Sequence, residues 1–577
     1  MSVNNFQQMR KQILGCLLSF VISTLSYAQT NNPVSIYEGA LIRSVTFDYL
    51  NLPADSTLAE AYVTLCRSTF RITAQSQYSS FLTSYYVSQL NLLPFVQTTK
   101  LEISTTSQNA IALAVLVTFS EISRQEPKRQ TVLKDAKLFP VLYNSKRTFL
   151  TLKAAASQMI YSNNNAWFGQ PAALTAGNPL AENPVGKGYT AWIEGFASLG
   201  LYGIVEIIPA IKLHLYGGAN YLVSFSAGNE LFTNNARIYG AVEEAFIGVI
   251  GGGHTPGGKI YRYNVTYGRK QFVLGDGWLI INTSMNGYNR AALQLNPRWA
   301  GRSLLHGEVL WNKVFVQAFR LQPNELTILN SQTTIVGLNV ELHNNHNGLL
   351  GLSFLSVPRS DFRYYLPDGT SYTRNGLQVF NVRAFKSAGE EGGLFLKLEG
   401  GYQRNRNFNM SAWAYYGEVG WNFAKTHGSP AISYRYAYFS GDDPATHSYN
   451  RWDALYTGGN GEQWVQGSNM YKIVQNSNEI THRLQAIYAP LPKLQFVGQV
   501  WLFYAPQRNN LGGNPALSTL LSRHYGTEYN LTMKFFYSRN WYFHLNTAYT
   551  IPSDAIREVV PQTRNWFCLS FFARYSF

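Results

Sequence analysis

From Gly188 to the end of the chain, apolar and wet residues take turns. Ile211, Leu213, Leu215, Gly217, Ala219, Tyr221, Val223 and Phe225 share one face of an extended segment, and Lys212, His214, Tyr216, Gly218, Asn220, Leu222, Ser224 and Ser226 share the other. A period of two is that of a β-strand, whose side chains alternate between the sides of its sheet. The pattern returns at Leu394/Leu396/Leu398 against Lys397/Glu399 and at Ile432/Tyr434/Tyr436/Tyr438 against Ser433/Arg435. It returns again at Tyr529/Leu531/Met533/Phe535 against Asn530/Thr532/Lys534 and at Trp541/Phe543/Leu545/Tyr549 against His544/Asn546. Counting such segments predicts a mainly β chain, a closed antiparallel transmembrane barrel of roughly 16 to 18 strands with 18 preferred. The barrel is expected over 188–577, with its first strand near 189–207. Polar stretches at 282–287, 356–375, 441–478 and 506–527 are its expected loops, and the three longer ones are of the kind that fold inward.

Ahead of the barrel the period changes. Thr57-Leu58-Ala59-Glu60 is a capping box, and Leu58, Ala61, Tyr62, Leu65 and Cys66 form the stripe of a half-buried helix. A second helical segment covers 77–90, and strands are expected at 41–47, 100–104 and 110–119. In the last of these Ile111, Leu113, Val115, Val117 and Phe119 share a face. The order strand, helix, helix, strand, strand over 35–121 predicts a small α/β domain with two helices on one face of a three-stranded sheet. This order resembles a POTRA module, a resemblance that implies a periplasmic position and a protein partner there. Residues 122–187 read as a polar, partly structured linker.

The extreme N-terminus settles the expected compartment. Arg10 and Lys11 precede an apolar run from Ile13 to Leu25 that ends in Ser26-Tyr27-Ala28, the build of a secretory signal peptide over 1–28. No later stretch approaches the ~18 apolar residues a spanning helix needs. At the other end, Phe567, Leu569, Phe571, Ala573, Tyr575 and Phe577 share one face. That ending resembles the signal by which the barrel assembly machinery recognises outer-membrane strands. The expected location is the outer membrane of a Gram-negative-type bacterium, with outer-membrane lipid around the barrel and the N-terminal domain in the periplasm.

Composition sharpens this reading. Aromatic residues make up 15% of the 577, charged residues only 14%, and there are 38 Tyr and 47 Gly, which suits a large sheet with one greasy and one wet face. The net charge of +15 falls to +13 without Arg10 and Lys11 and is consistent with a lumen for anions. No compact basic cluster points to nucleic acid. Cys66 and Cys568 lie in different expected domains, which argues against a disulfide and gives no basis for a metal site. Ten His are present, yet no Gly-x-Ser-x-Gly, His-Glu-x-x-His or Cys-x-x-Cys occurs, so no enzyme and no catalytic residue is expected.

Two segments carry a family resemblance. One is Tyr267-Gly268-Arg269-Lys270-Gln271-Phe272-Val273-Leu274-Gly275-Asp276-Gly277-Trp278-Leu279-Ile280, followed by Gly287-Tyr288-Asn289-Arg290. The other is Tyr438-Phe439-Ser440-Gly441-Asp442-Asp443-Pro444, then Arg451-Trp452-Asp453-Ala454-Leu455-Tyr456. They resemble motifs of the alginate export family, single-chain outer-membrane barrels that pass an anionic polysaccharide. The resemblance implies an 18-stranded barrel with an electropositive lumen and places Arg269, Asp276, Asp442, Asp443 and Asp453 at motif positions. Gly275-Asp276-Gly277 also reads simply as turn chemistry. Asp442-Asp443-Pro444 reads as a turn whose carboxylates can at most hold Ca²⁺ weakly, so no cofactor is expected.

Strand parity puts Lys212, Arg383, Lys397, Arg435, Arg483 and Lys534 on the wet face, where such charges select anions. Glu308, Glu341 and Glu399 share that face, so charge ladders compete with an open anion path. The expected function is a channel or export porin for an anionic solute or polysaccharide, either passive or gated by a partner through the N-terminal domain. The alternatives are an assembly or secretion barrel that handles client protein and a structural barrel without transport. An assembly barrel is disfavoured because no Arg-Gly pair occurs in the chain.

Overall fold

The computed structural model describes residues 41–577 except 53–55, 73–77, 92, 94–95, 108–109, 120–139, 256–258, 345–347, 389–391, 459–463 and 539. The expected signal peptide at 1–28 lies outside the described residues.

The N-terminal unit comprises β1 (Leu41–Leu50), the helices Ser56–Thr69 and Ser80–Asn91, β2 (Val96–Ser107) and β3 (Ala110–Phe119). The sheet order is β1-β3-β2, with β3 parallel to β1 and antiparallel to β2. Period-two and helical spacing therefore gave the right element order. Ile111, Leu113, Val115, Val117 and Phe119 are fully buried, in one core with Cys66, Phe70, Tyr85 and Leu90 of the helices and the segment between them.

After the short β4 (Val141–Asn144) come the wall strands. They are β5 (Thr148–Asn164), β6 (Tyr189–Ile208), β7 (Leu213–Gly228), β8 (Arg237–His254), β9 (Ile260–Arg269), β10 (Ser303–Trp311), β11 (Val314–Gln322), β12 (Thr334–His343) and β13 (Gly348–Arg359). Past a small hairpin, β14 (Arg363–Tyr365) and β15 (Ser371–Thr373), the wall continues with β16 (Leu377–Lys386), β17 (Gly393–Asn405), β18 (Ala412–Asn422), β19 (Ala431–Phe439), β20 (Glu479–Leu491), β21 (Leu494–Tyr504), β22 (His524–Phe535), β23 (Trp541–Pro552) and β24 (Trp566–Ser576). Each wall strand pairs antiparallel with the next, and β24 closes onto β5 from Phe567↔Asn164 to Ser576↔Ala155. The result is an 18-strand closed barrel, within the expected range of roughly 16 to 18 and equal to the preferred number. β4 takes the remaining edge of β5 beside Phe149–Thr151. Closure of β24 onto β5 leaves neither the first nor the last wall strand as an open edge. Among the described residues no helix is long and apolar enough to cross a membrane.

The barrel begins earlier than the expected boundary at 188, because β5 lies inside the stretch that reads as a linker. Ala154, Ala155, Ala156 and Ser157 put small residues on both faces of β5 and erase the contrast that marks the other strands. The Asn163-Asn164-Asn165 cluster resembles a turn, yet Asn163 is buried and accepts a hydrogen bond from Trp566 Nε1 at 2.7 Å.

Relative exposure fixes which face is which. Val382, Leu484 and Leu531 are 50, 54 and 53% exposed, whereas Arg383, Arg483 and Lys534 beside them are 1, 1 and 8% exposed. Apolar residues thus face outward toward lipid and charged ones inward. The connections at the end where β5 begins and β24 finishes are short, for example 312–313 and 492–493. Those at the opposite end include 165–188, 270–302 and 440–478.

Candidate functional site: a luminal chamber between infolded loops and the N-terminal domain

The wall charges are partly spent on one another. On β16, Arg383 donates to Glu341 Oε1 of β12 at 2.5 Å, to Ser353 Oγ of β13 at 2.8 Å and to Asn381 Oδ1 at 3.0 Å, and also to Asn339. On β20, Arg483 donates to Glu418 Oε1 of β18 at 2.5 Å, and Arg262 of β9 lies 3.4 Å from Glu308 of β10. Glu399 accepts from Asn381 at 3.0 Å. Neutralised in this way, Arg383 and Arg483 stiffen the wall more than they attract a cargo.

Arg435 stands apart. It faces Arg483 across the β19–β20 ladder and forms no ion pair among the described residues. Its guanidinium lies over the rings of Trp464 at 4.6 Å and Trp501 at 5.4 Å, a geometry in which the aromatic quadrupole partly offsets lost hydration.

The loops 270–302 and 440–478 fold into the lumen and meet there. Tyr456 N donates to Leu279 O at 3.2 Å, Ile281 N to Tyr456 O at 3.0 Å, and Trp278 stacks on Trp452 with centroids 5.5 Å apart. Gly275 (φ +56°) and Gly277 (φ +83°) make the turn that carries Asp276. A side chain on Gly275 would meet the Arg383 guanidinium at 3.0 Å, so the turn rests directly on the wall. Asp276 forms an ion pair with Lys397 at 2.8 Å, joining the two expected site residues.

Carboxylates on the inner wall hold these loops by their backbone amides. Glu243 Oε1 accepts from Trp299 N and Ala300 N, both at 2.7 Å. Glu194 accepts from Gln294 N at 2.8 Å, from Leu295 N and from Trp192 Nε1 at 3.0 Å. Glu528 accepts from Met470 N at 2.8 Å, Asn469 N at 3.1 Å and Ser468 N. Strand parity singles out Glu308, Glu341 and Glu399 on the inner face and not these three. Their role as loop anchors depends on amides distant in sequence and has no local signature.

The remaining motif carboxylates also act within the chain. Asp453 pairs with Arg374 of the loop between β13 and β16. Asp442 accepts from Asn450 N and Asn509 Nδ2, both at 3.0 Å, and Asp443 accepts from Ala445 N at 3.0 Å in a turn. Among the described residues no group of three or more His, Cys, Asp or Glu could hold a metal ion.

Lys212 does not belong to the lumen wall. It occupies the turn between β6 and β7 with φ +50°, at the end carrying the short connections, and is exposed. The apparent alternation runs through Ile211, but Pro209 has already ended the β6 ladder. Arg269, at the end of β9, faces a small cavity in the wall rather than the central space.

The N-terminal unit sits in the barrel mouth at the short-connection end. Tyr85 packs edge-on against Phe149 and His214 with centroids 5.7 and 5.9 Å apart, and its core is continuous with Tyr202, Tyr216 and Ile250 of the barrel. The helix-free side of its sheet, with Ser44, Thr46, Ser104, Ala112 and Ala114, looks into the lumen. A cavity of about 1660 Å³ lies between that sheet and the infolded loops. Arg43, Lys153, Lys386, Lys397, Lys472, Lys534 and Arg574 line it against Glu243, Glu244 and Glu418, seven cations to three carboxylates.

The alginate export family model matches residues 236–568 of the chain. Comparison with curated proteins finds no match. Among solved structures, the outer membrane protein OpdK of Pseudomonas aeruginosa aligns at 10% identity and a TM-score of 0.44, over 74% of this chain and 98% of that one. OccK2 (OpdF) of the same organism aligns at 12% identity and 0.43, over 74% and 97%. OmpF of Salmonella typhi, in complex with daunomycin, aligns at 13% identity and 0.37, over 76% and 100%.

Proposed function

Because the chain belongs to the alginate export family, we propose that this outer-membrane barrel is a channel for an anionic saccharide chain or solute, gated by its own N-terminal domain. One observation carries the reading: the chamber has seven cationic side chains, of which Lys397 is paired with Asp276, against three carboxylates, of which Glu418 is paired with Arg483. A charged solute entering a narrow, partly desolvated space is selected by the sign of the lining.

Outer-membrane barrels carry short turns on the periplasmic side and longer loops outside. On that rule the N-terminal domain occupies the periplasmic mouth. Its interface with the barrel includes the packed rings of Tyr85, Phe149 and His214 and long hydrogen bonds from Gln89 to Ser145 O at 3.4 Å and from Arg71 to Lys212 O at 3.5 Å, so a periplasmic protein that binds the domain can draw it out and open the path. In this reading the terminal strand ending at Phe577 is what the assembly machinery recognises.

Reconstitution in planar bilayers tests both parts. The expected result is a low basal conductance with anion preference, and a rise in conductance when residues 29–121 are deleted. A reversal potential showing cation preference would end the proposal for the substrate. Unchanged conductance on deletion would end it for the gate.

A further inference from the structure

A second cavity, of about 280 Å³, lies in the barrel wall itself and shares no lining residue with the central chamber. The pairing of β8 with β9 stops at Ala245↔Arg269, so the outer part of β8 has an infolded loop as its neighbour in place of a strand. Arg269, Arg290, Arg298, Tyr239, Asn324 and the outward-facing Val242 border the resulting gap. Three guanidinium groups converge there, and no carboxylate is among the lining residues.

The chain satisfies these cations with neutral acceptors. Arg290 donates to Asn324 O at 2.8 Å and Glu325 O at 2.7 Å, and Arg298 to Ser224 Oγ at 2.8 Å and Tyr239 O at 3.2 Å. Arg298 is 1% exposed, and its Nε has no hydrogen-bond partner. Arg269 donates through Nε to Glu243 O at 3.4 Å, and its two terminal nitrogens make no hydrogen bond or ion pair among the described residues. Glu243, on the same strand as Tyr239, uses its carboxylate on the Trp299 and Ala300 amides. Burial pushes the pKa of both Arg290 and Arg298 below the ordinary guanidinium value, and the nearby Glu243 and Tyr239 only partly oppose that shift. Buried cations are ordinarily paired, and carbonyl oxygens satisfy their donors without cancelling their charge.

We propose that this wall cavity binds a compact oxyanion, a phosphate or a carboxylate, held by the terminal nitrogens of Arg269 and the Nε of Arg298. Planar oxyanions match the forked donors of arginine. The cavity borders the lipid-facing Val242, so the oxyanion can belong to a lipid headgroup of the outer leaflet or arrive free in solution.

The test uses the full chain purified in detergent. Inorganic phosphate and glucuronate are titrated at constant ionic strength, with binding read by calorimetry. In parallel, native mass spectrometry of protein extracted from outer membranes reads retained phosphorylated glycolipid. Saturable binding is expected for the wild type, weakened at least about tenfold in Arg269→Gln. Lys313→Gln, in an exposed turn at the other end of the barrel, leaves it unchanged. Because the Arg269 side chain makes a single hydrogen bond among the described residues, its replacement is expected to leave the barrel folded, which heat-dependent gel migration verifies. Retained glycolipid that is lost in Arg269→Gln assigns the headgroup as source, and binding of soluble phosphate or glucuronate without retained lipid assigns the free anion. No saturable binding and no retained lipid, or equal binding in Arg269→Gln, overturns the site whatever the channel's selectivity.

Discussion

Arg374 and Asp453 meet as a bidentate pair, Nε to Oδ2 at 2.6 Å and Nη2 to Oδ1 at 2.9 Å, and so clasp two outer loops that lie far apart in the chain. Tyr364 donates to the same carboxylate at 2.5 Å, and Gln403 of β17 bonds both the N–H and the C=O of residue 453 at 2.8 and 2.7 Å. The 440–478 loop is thereby fixed at a point from which it reaches the lumen centre.

Removing one partner leaves the other charge buried and uncompensated, which costs about 3 to 5 kcal/mol. Asp453→Ala is therefore expected to lower the thermal midpoint in detergent and to make single-channel current noisier as the loop loosens. Replacing both residues, Arg374→Met with Asp453→Leu, is expected to recover much of the midpoint. Equal melting of wild type and Asp453→Ala would show that the clasp does not hold the loop.

Glu528 collects three consecutive amides of the infolded loop. Truncation by Glu528→Ala strands those donors at about 1 to 3 kcal/mol each, less whatever water recovers. The expected outcome is higher conductance together with faster protease cleavage within 464–478. Unaltered conductance and cleavage would place the loop's restraint elsewhere.

The Lys397–Asp276 pair joins wall and loop. Lys397→Gln removes a chamber cation and frees the turn, so anion preference is expected to fall and conductance to rise. Exchanging the two, Lys397→Asp with Asp276→Lys, keeps net charge and is expected to restore the selectivity. A Lys397→Gln reversal potential identical to wild type would remove Lys397 from the selectivity proposal.

Burial holds the Lys472 pKa below the ordinary lysine value. Its charge is lost as pH rises through that lowered value, before an exposed lysine near ~10.4 would deprotonate. Anion preference is thus expected to begin declining at a pH below the ordinary lysine range, and Lys472→Gln is expected to flatten that early decline. A profile unaffected by the substitution counts against Lys472 as part of the conducting charge.

At the mouth, Tyr85 wedges between Phe149 and His214. Tyr85→Ala is expected to weaken the seat of the N-terminal domain and raise basal conductance, though by less than deletion of the domain. Wild-type conductance in this variant would mean that the aromatic contact does not keep the mouth shut.

Local pattern determined a great deal here. Alternation is set by the backbone of a strand, so the sequence alone marks which of Val382 and Arg383, or Leu531 and Lys534, meets lipid, and the count of such segments bounds the wall at roughly 16 to 18 strands. It falters where side chains are too small to show a face, as in β5, and where a proline turn counterfeits the alternation, as before Lys212. Pairing across the lumen was decided only by tertiary structure. Arg383 and Arg483 look like free pore charges until Glu341 and Glu418 are brought beside them, and the Arg269, Arg290 and Arg298 cluster exists because β9 stops short and a loop turns in. Facing direction is a property of one residue and its neighbours along the chain. Neutralisation, anchoring and enclosure belong to residues that only closure of the barrel makes adjacent.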